Sequence, residues 1–213
     1  QASAIHNFQE NQIHLIGTPR FDQYFSYRDD SSSKSPYPFP FLLFVGSAMP
    51  FDELDALHSL ESLLDQTPSV PANLRIVYRP HPWQQKRKVP ATFHESDFRY
   101  TILDRQIMEA YSSGIKQEST SRAFQPELSY YPALLSHATA VTGPLTTMLF
   151  EATLCLRPVL ALSYADGHHF TTNRRYLSHF EGLEEVPGFL FCDEKDQLRL
   201  YLDRLFATPR ITP

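Results

Sequence analysis

The chain has 213 residues, of which 42% are hydrophobic, 13% aromatic and 20% charged, with a formal net charge of −5. This composition predicts one domain with a sizeable core and excludes a largely disordered chain. The acidic balance argues against a nucleic-acid-binding protein, and no apolar run is long enough to span a membrane.

The first 40 residues are predicted to be a connecting segment that lies outside the main core. Residues 29–40 are rich in Ser and Pro, which is typical of a linker or an exposed loop. The chain begins at Gln1 without a signal-peptide pattern, so we expect it to be a piece of a longer protein. Cys155 and Cys192 both lie in apolar runs, which favours buried, reduced thiols.

From residue 40 onward, short apolar runs alternate with segments of helical periodicity. The apolar runs predict strands at 40–47, 74–78, 100–103, 138–142, 157–163 and 188–192. Helices are predicted at 51–66, at 131–137, from Gly143-Pro144 to Leu156, and at 194–206, whereas residues 105–128 predict an irregular loop. Residues 41–213 are therefore expected to form an α/β fold. This fold is a doubly wound, Rossmann-like parallel sheet of five to six strands with helices on both faces.

Ligands of such folds bind beyond the carboxyl ends of the strands. This rule selects Gly46-Ser47, residues 79–82, Asp104, residues 143–147 and residues 163–169 as the segments in which a site is expected.

The segment Tyr78-Arg79-Pro80-His81-Pro82 places the guanidinium group of Arg79 and the imidazole of His81 directly after a buried strand. The two prolines fix the backbone around His81. Arg79 suits a phosphate, and His81 can donate a hydrogen bond to a phosphate oxygen or act as an acid near neutral pH. The alternative is a stiff strand exit with a solvated histidine.

The segment Gly143-Pro144-Leu145-Thr146-Thr147 predicts a helix start beside a strand end, where backbone N–H groups and the helix dipole favour a phosphate. Thr146 and Thr147 add hydroxyl donors. Glu151 follows one turn later on the same face, inside an apolar stretch, and could accept two ribose hydroxyls. The alternative is a capped helix with a solvated glutamate.

Two weaker features remain. Asp166, His168 and His169 lack convincing metal-ligand spacing, so acceptor contact or support of the phosphate loop is favoured over a metal site. The basic run 86–88 suits a solvated face, with anionic lipid head groups as the alternative partner. The chain contains no GxxxxGK[ST], GxGxxG, GxSxG or CxxC motif, which argues against a nucleotide hydrolase, an NAD-type dehydrogenase, an α/β-hydrolase and a zinc module.

Four motifs occur in a characteristic order: GTPRFD at residues 17–22, a strand ending in Gly-Ser at 45–47, YRPHP, and TGPLTTMLFEATLCLRPVLALSYAD. In this order they resemble the carboxyl-terminal, donor-binding half of GT-B glycosyltransferases that build bacterial surface polysaccharides. The CDP-glycerol glycerophosphotransferase group and the sialyl- and Kdo-transferases are the nearest of these. UDP-GlcNAc 2-epimerases share the GTPRFD-like opening and the helix with its glutamate.

The resemblance implies a role for each matching residue. His81 would contact the donor phosphate and assist its departure as the catalytic residue. The Thr-Thr pair stands where relatives often carry Ser, which leaves the donor open among CMP-, CDP- and UDP-linked compounds. No metal and no cofactor besides the donor substrate is expected. The remaining residues expected to bind the donor are Ser47, Arg79, Thr146, Thr147, Glu151 and Asp166.

The resemblance also implies a missing partner, because the amino-terminal half of a GT-B enzyme supplies the acceptor site. We expect a cytoplasmic transferase without a nucleic-acid partner, with peripheral membrane association as an open possibility. Two other functions stay open. One is a UDP-GlcNAc 2-epimerase-like enzyme that uses the same cleft, and the other is a non-catalytic Rossmann-like interaction module.

Overall fold

The computed structural model describes residues 9, 11, 14, 17–30, 33–81, 93–107, 127, 129–169 and 180–208. Its centre is a six-stranded sheet in which every neighbouring pair of strands is parallel. The strand order β3-β2-β1-β4-β5-β6 is that of a doubly wound Rossmann-like fold, which confirms the predicted fold class. The strands are β1 (Phe41–Val45), β2 (Arg75–Arg79), β3 (Thr101–Leu103), β4 (Ala140–Pro144), β5 (Val159–Leu162) and β6 (Phe189–Cys192).

Helices connect and cover these strands. They are α1 (Asp22–Asp29), α2 (Glu53–Leu64), α3 (Tyr130–His137), α4 (Thr147–Leu154) and α5 (Leu198–Ala207). The start of α2 shows why a helix begins there: the Asp52 side chain accepts a hydrogen bond from the Asp55 N–H at 3.0 Å and caps the first turn. Among the described residues, no helix has the length and apolar character needed to cross a bilayer.

The sheet is buried on both faces, as the continuously apolar strands predict. In β1, Phe41, Leu43 and Val45 pack on the face covered by α1, α3 and α4. Leu42 and Phe44 pack on the opposite face, which α2 and α5 cover. Each of these fully buried side chains contributes roughly 1.5–3 kcal/mol of transfer free energy. The central strand is therefore a rigid platform for the loops at its carboxyl end.

Part of the predicted connecting segment packs onto this domain. Helix α1 contacts α3 and α4, and Tyr24 on α1 is buried in the core together with Tyr37. The Phe21 ring lies 5.7 Å from the Phe150 ring of α4, measured between centroids. Residues 19–29 therefore contribute one wall of the domain.

The prediction that Gly143-Pro144 opens a helix is wrong. Strand β4 continues through Pro144, with Gly143 opposite Ala161 of β5, and α4 begins at Thr147. The pairing of β4 with β1 ends at Thr142, so the missing N–H of Pro144 breaks no hydrogen bond on that side. Gly143 has a φ of 150°, and a Cβ there would collide with the carbonyl oxygen of β1.

Candidate functional site

A cavity of about 600 Å³ opens at the carboxyl edge of the sheet, beside the ends of β2 and β4. Because β1 lies between these two strands, this is the point where the chain crosses to opposite halves of the sheet. Ligands of Rossmann-like folds bind at this switch point. The cavity brings five of the predicted site residues together: Arg79, His81, Thr146, Thr147 and Glu151.

Arg79 ends β2 and is 6% exposed. Its Nη2 donates a hydrogen bond to the Tyr131 hydroxyl at 3.0 Å, and its guanidinium carbon lies 5.0 Å from the centroid of the Tyr131 ring. Among the described residues, its buried Nε has no hydrogen-bond partner and no carboxylate forms an ion pair with it. The buried carboxyl group of Asp104 interacts with Arg79 electrostatically, but no described carboxylate lies within ion-pair distance, so a ligand anion would give the guanidinium a direct partner.

His81 follows Arg79 by two residues and also lines the cavity. Burial and the neighbouring positive charge of Arg79 lower the pKa of His81 from 6.5 to about 4. The imidazole of His81 is therefore neutral at pH 7 in the free protein. It can donate one hydrogen bond from its ring N–H, but it does not carry the second proton of an imidazolium. A phosphate beside it would favour the protonated form.

The strand ends approach each other closely here because Gly46 has no side chain. The Gly46 N–H donates to the carbonyl oxygen of Arg79 at 2.8 Å. A Cβ on Gly46 would lie 2.7 Å from the backbone nitrogen of His81 and 2.7 Å from Oε2 of Glu53. Gly46 thus fixes how far the loop that carries His81 lies from β1.

The first turn of α4 faces the cavity. Thr146 is the N-cap residue, with extended φ and ψ, and its side chain makes no capping hydrogen bond. The first N–H groups of an α-helix have no partner within the helix, and the helix dipole places partial positive charge there. Thr146, Thr147 and Met148 line the cavity at this turn. The arrangement suits an anion.

Glu151 lies one turn further along α4 and is 2% exposed, so it is not a solvated surface carboxylate. The Tyr24 hydroxyl donates to its Oε2 at 2.5 Å, and Arg20 Nη2 donates to its Oε1 at 3.0 Å. Burial and the hydrogen bond to Glu151 raise the pKa of Tyr24 far above its usual value. Both donors come from the segment that precedes β1.

Ser47 and Asp166 do not line the cavity. The Ser47 hydroxyl donates to the carbonyl oxygen of Leu145 at 3.0 Å, which ties the loop after β1 to the start of α4. Asp166 accepts the N–H of Asp52 at 2.7 Å and Nδ1 of His169 at 2.7 Å, which ties the loop after β5 to the start of α2. Burial opposes ionisation of Asp166, but these hydrogen bonds outweigh it and lower its pKa to about 2.

Four residues that shape the site were not among the predicted ones: Arg20, Tyr24, Tyr131 and Glu53. Arg20 belongs to the GTPRFD motif, so the sequence contained a signal for it. Glu53 is the first residue of α2. In the structure it is buried, accepts the Ser47 N–H at 2.9 Å and the Tyr78 hydroxyl at 2.7 Å, and with burial raises the pKa of Tyr78. No sequence pattern marked Tyr131.

Within the part of the chain that the structure describes, no group of three or more His, Cys, Asp or Glu side chains is arranged to hold a metal ion. The basic run 86–88 and residues 82 and 170 lie outside the described residues.

Comparison of the chain with protein-family models and with curated proteins gives no match, so its function is inferred from the cavity itself.

Proposed function

We propose that this chain is the donor-binding domain of a GT-B type glycosyltransferase, or of a polyol-phosphate transferase, that uses a nucleotide-activated donor in surface polysaccharide synthesis. The observation that carries the proposal is the buried guanidinium of Arg79, which lines a cavity at the switch point of the sheet and whose Nε has no hydrogen-bond partner among the described residues. The resemblance of the motif order to this family supports the same conclusion.

The phosphate end of the cavity offers hydrogen-bond donors. These are the Arg79 guanidinium, the first turn of α4, the hydroxyls of Thr146 and Thr147, and the imidazole of His81. A phosphate presents only acceptor oxygens to such a surface, and a charge-assisted hydrogen bond is stronger than a neutral one. The Tyr131 hydroxyl already holds the guanidinium in place, so little side-chain entropy is lost when a phosphate binds.

Glu151 supplies the cavity with a hydrogen-bond acceptor, its carboxylate. Glu151 lies four residues after Thr147 on α4, which is about 6 Å along the helix axis. A nucleoside diphosphate has acceptor oxygens on its phosphates and a pair of donor hydroxyls on its ribose. Donors at the helix start and a carboxylate one turn later therefore match both parts of that ligand.

These residues would act on the leaving group of the transfer reaction. When the bond between the transferred group and the nucleotide phosphate breaks, negative charge develops on the phosphate that departs. Donors that are already oriented stabilise that charge without having to rearrange. His81 would add a hydrogen bond to the same phosphate. The binding site for the acceptor substrate would come from an amino-terminal GT-B domain. The enzyme would act in the cytoplasm, either free or in peripheral contact with a membrane.

The proposal is tested by calorimetric titration of the chain with CMP, CDP, UDP and inorganic pyrophosphate. We expect saturable binding of at least one nucleotide. Arg79→Met should weaken it about 10- to 150-fold, which corresponds to the loss of a charge-assisted hydrogen bond. Arg75→Met is the matched control, because Arg75 is exposed at the amino end of the same strand and does not line the cavity, which lies at the carboxyl end.

Two outcomes would contradict the proposal. The absence of binding for all three nucleotides would favour the interaction module, and equal affinity in the wild-type and Arg79→Met proteins would place the nucleotide elsewhere. Conversion of UDP-GlcNAc by the full-length protein without an acceptor would instead favour the epimerase-like enzyme.

A further inference from the structure

Both oxygens of the Glu151 carboxylate have a hydrogen-bond partner within the protein. Among the described residues, one of its oxygens accepts a hydrogen bond from Tyr24 and the other accepts one from Arg20. Glu151 is therefore held in a fixed orientation by α1 and by the turn before it.

The two donors differ in how firmly they are held. The Tyr24 hydroxyl is buried in the core and makes a short bond of 2.5 Å to Oε2. The Arg20 side chain is 67% exposed at the rim of the cavity and uses Nη2 on Oε1. Only the arginine end of this ion pair is exposed, so the Arg20 guanidinium can leave Glu151 without entering an apolar environment. Oε2 thus keeps its partner, while Oε1 can be released.

We propose that Arg20 is a specificity-determining residue that changes partners when a ligand enters the cavity. In the structure it pairs with Oε1 of Glu151. In the occupied site its guanidinium moves to a ligand phosphate, and Oε1 becomes the acceptor for a ribose hydroxyl. This inference rests on the proposed function, since it assumes a ligand that carries both a phosphate and a diol.

The exchange makes the two parts of the ligand cooperate. A diol without a phosphate displaces Arg20 from Glu151 and gives the guanidinium no new partner. A phosphate without a diol attracts Arg20 but leaves Oε1 without a donor. A nucleoside phosphate satisfies both groups at once, so the site selects molecules that carry the two chemistries together.

Arg20→Ala tests the exchange, because it should change the affinities of two probes in opposite directions. Uridine and cytidine carry the diol without phosphate, and the variant should bind them about two- to five-fold more tightly because Oε1 is no longer occupied. UDP and CDP should bind about five-fold more weakly or worse, because a phosphate contact is lost. Calorimetry serves for the nucleotides and NMR titration for the nucleosides.

Arg28→Ala is the matched control, since Arg28 lies on α1 and does not line the cavity, and it should change neither affinity. Arg20→Gln repeats the test with a neutral side chain that is longer than that of alanine. Affinities that change in the same direction, or do not change, would overturn the exchange while leaving nucleotide binding intact. A wild-type chain that binds no nucleotide would overturn the proposed function and this inference with it.

Discussion

The hydrogen bond between Tyr24 and Glu151 joins two segments that are 127 residues apart in the chain, and we expect its removal to lower the stability measurably. Tyr24→Phe keeps the ring in the core and removes the hydroxyl. Oε2 of a carboxylate that is 2% exposed then loses its donor. A hydrogen bond to a charged group contributes about 1.5–3 kcal/mol, and a buried acceptor left unpaired adds a desolvation cost within the same range.

We therefore expect Tyr24→Phe to lower the free energy of unfolding by about 1.5–3 kcal/mol, or Tm by roughly 3–12 °C for a chain of this length. Urea unfolding at pH 7, followed by circular dichroism, measures the free energy. Tyr27→Phe on the same helix is the control, because the Tyr27 hydroxyl makes no hydrogen bond to any of the described residues. Two variants that lose the same free energy, or a Tyr24→Phe protein as stable as the wild type, would refute the assigned hydrogen bond.

Three further predictions concern His81, Gly46 and the two buried cysteines. His81 has a pKa near 4 in the folded protein and an ordinary value of 6.5, so the unfolded chain binds its proton first. Stability should therefore fall as the pH drops from about 6.5 to 4, and urea unfolding of His81→Gln should show a shallower pH dependence. Gly46→Ala should lower stability by about 1–3 kcal/mol and weaken nucleotide binding, because its Cβ would displace the loop that carries His81. Burial raises the pKa of Cys155 and Cys192 to about 12, so both thiols should react with Ellman's reagent only after unfolding.

The sheet could be predicted from the sequence because its strands are buried on both faces. The five apolar residues of β1 can only lie between two layers of helices, and the same signal fixes β5 and β6. Helix α1 could not be predicted in this way, because it is short and largely polar and joins the core mainly through Tyr24. Its packing depends on the tertiary structure and not on a local period.

The candidate site likewise contains residues that could be predicted from the sequence and contacts that could not. Arg79, His81 and the start of α4 could be predicted because each follows a strand, and the topology brings strand ends together. Ser47 and Asp166 satisfied the same rule, yet their hydrogen bonds hold loops outside the cavity. The pairing of Arg20 with Glu151 spans 131 residues, and no spacing in a single sequence reveals such a contact.

Binding of a nucleotide phosphate to the Nε of Arg79 is tested most directly by NMR of the arginine Nε–H groups. The Arg79 signal is assigned by its loss in Arg79→Lys, and the wild-type chain is then titrated with CDP and UDP. We expect this signal to shift and sharpen in proportion to occupancy, while the Arg75 signal stays in place. A signal from Arg79 that is unchanged at saturating nucleotide would contradict the account.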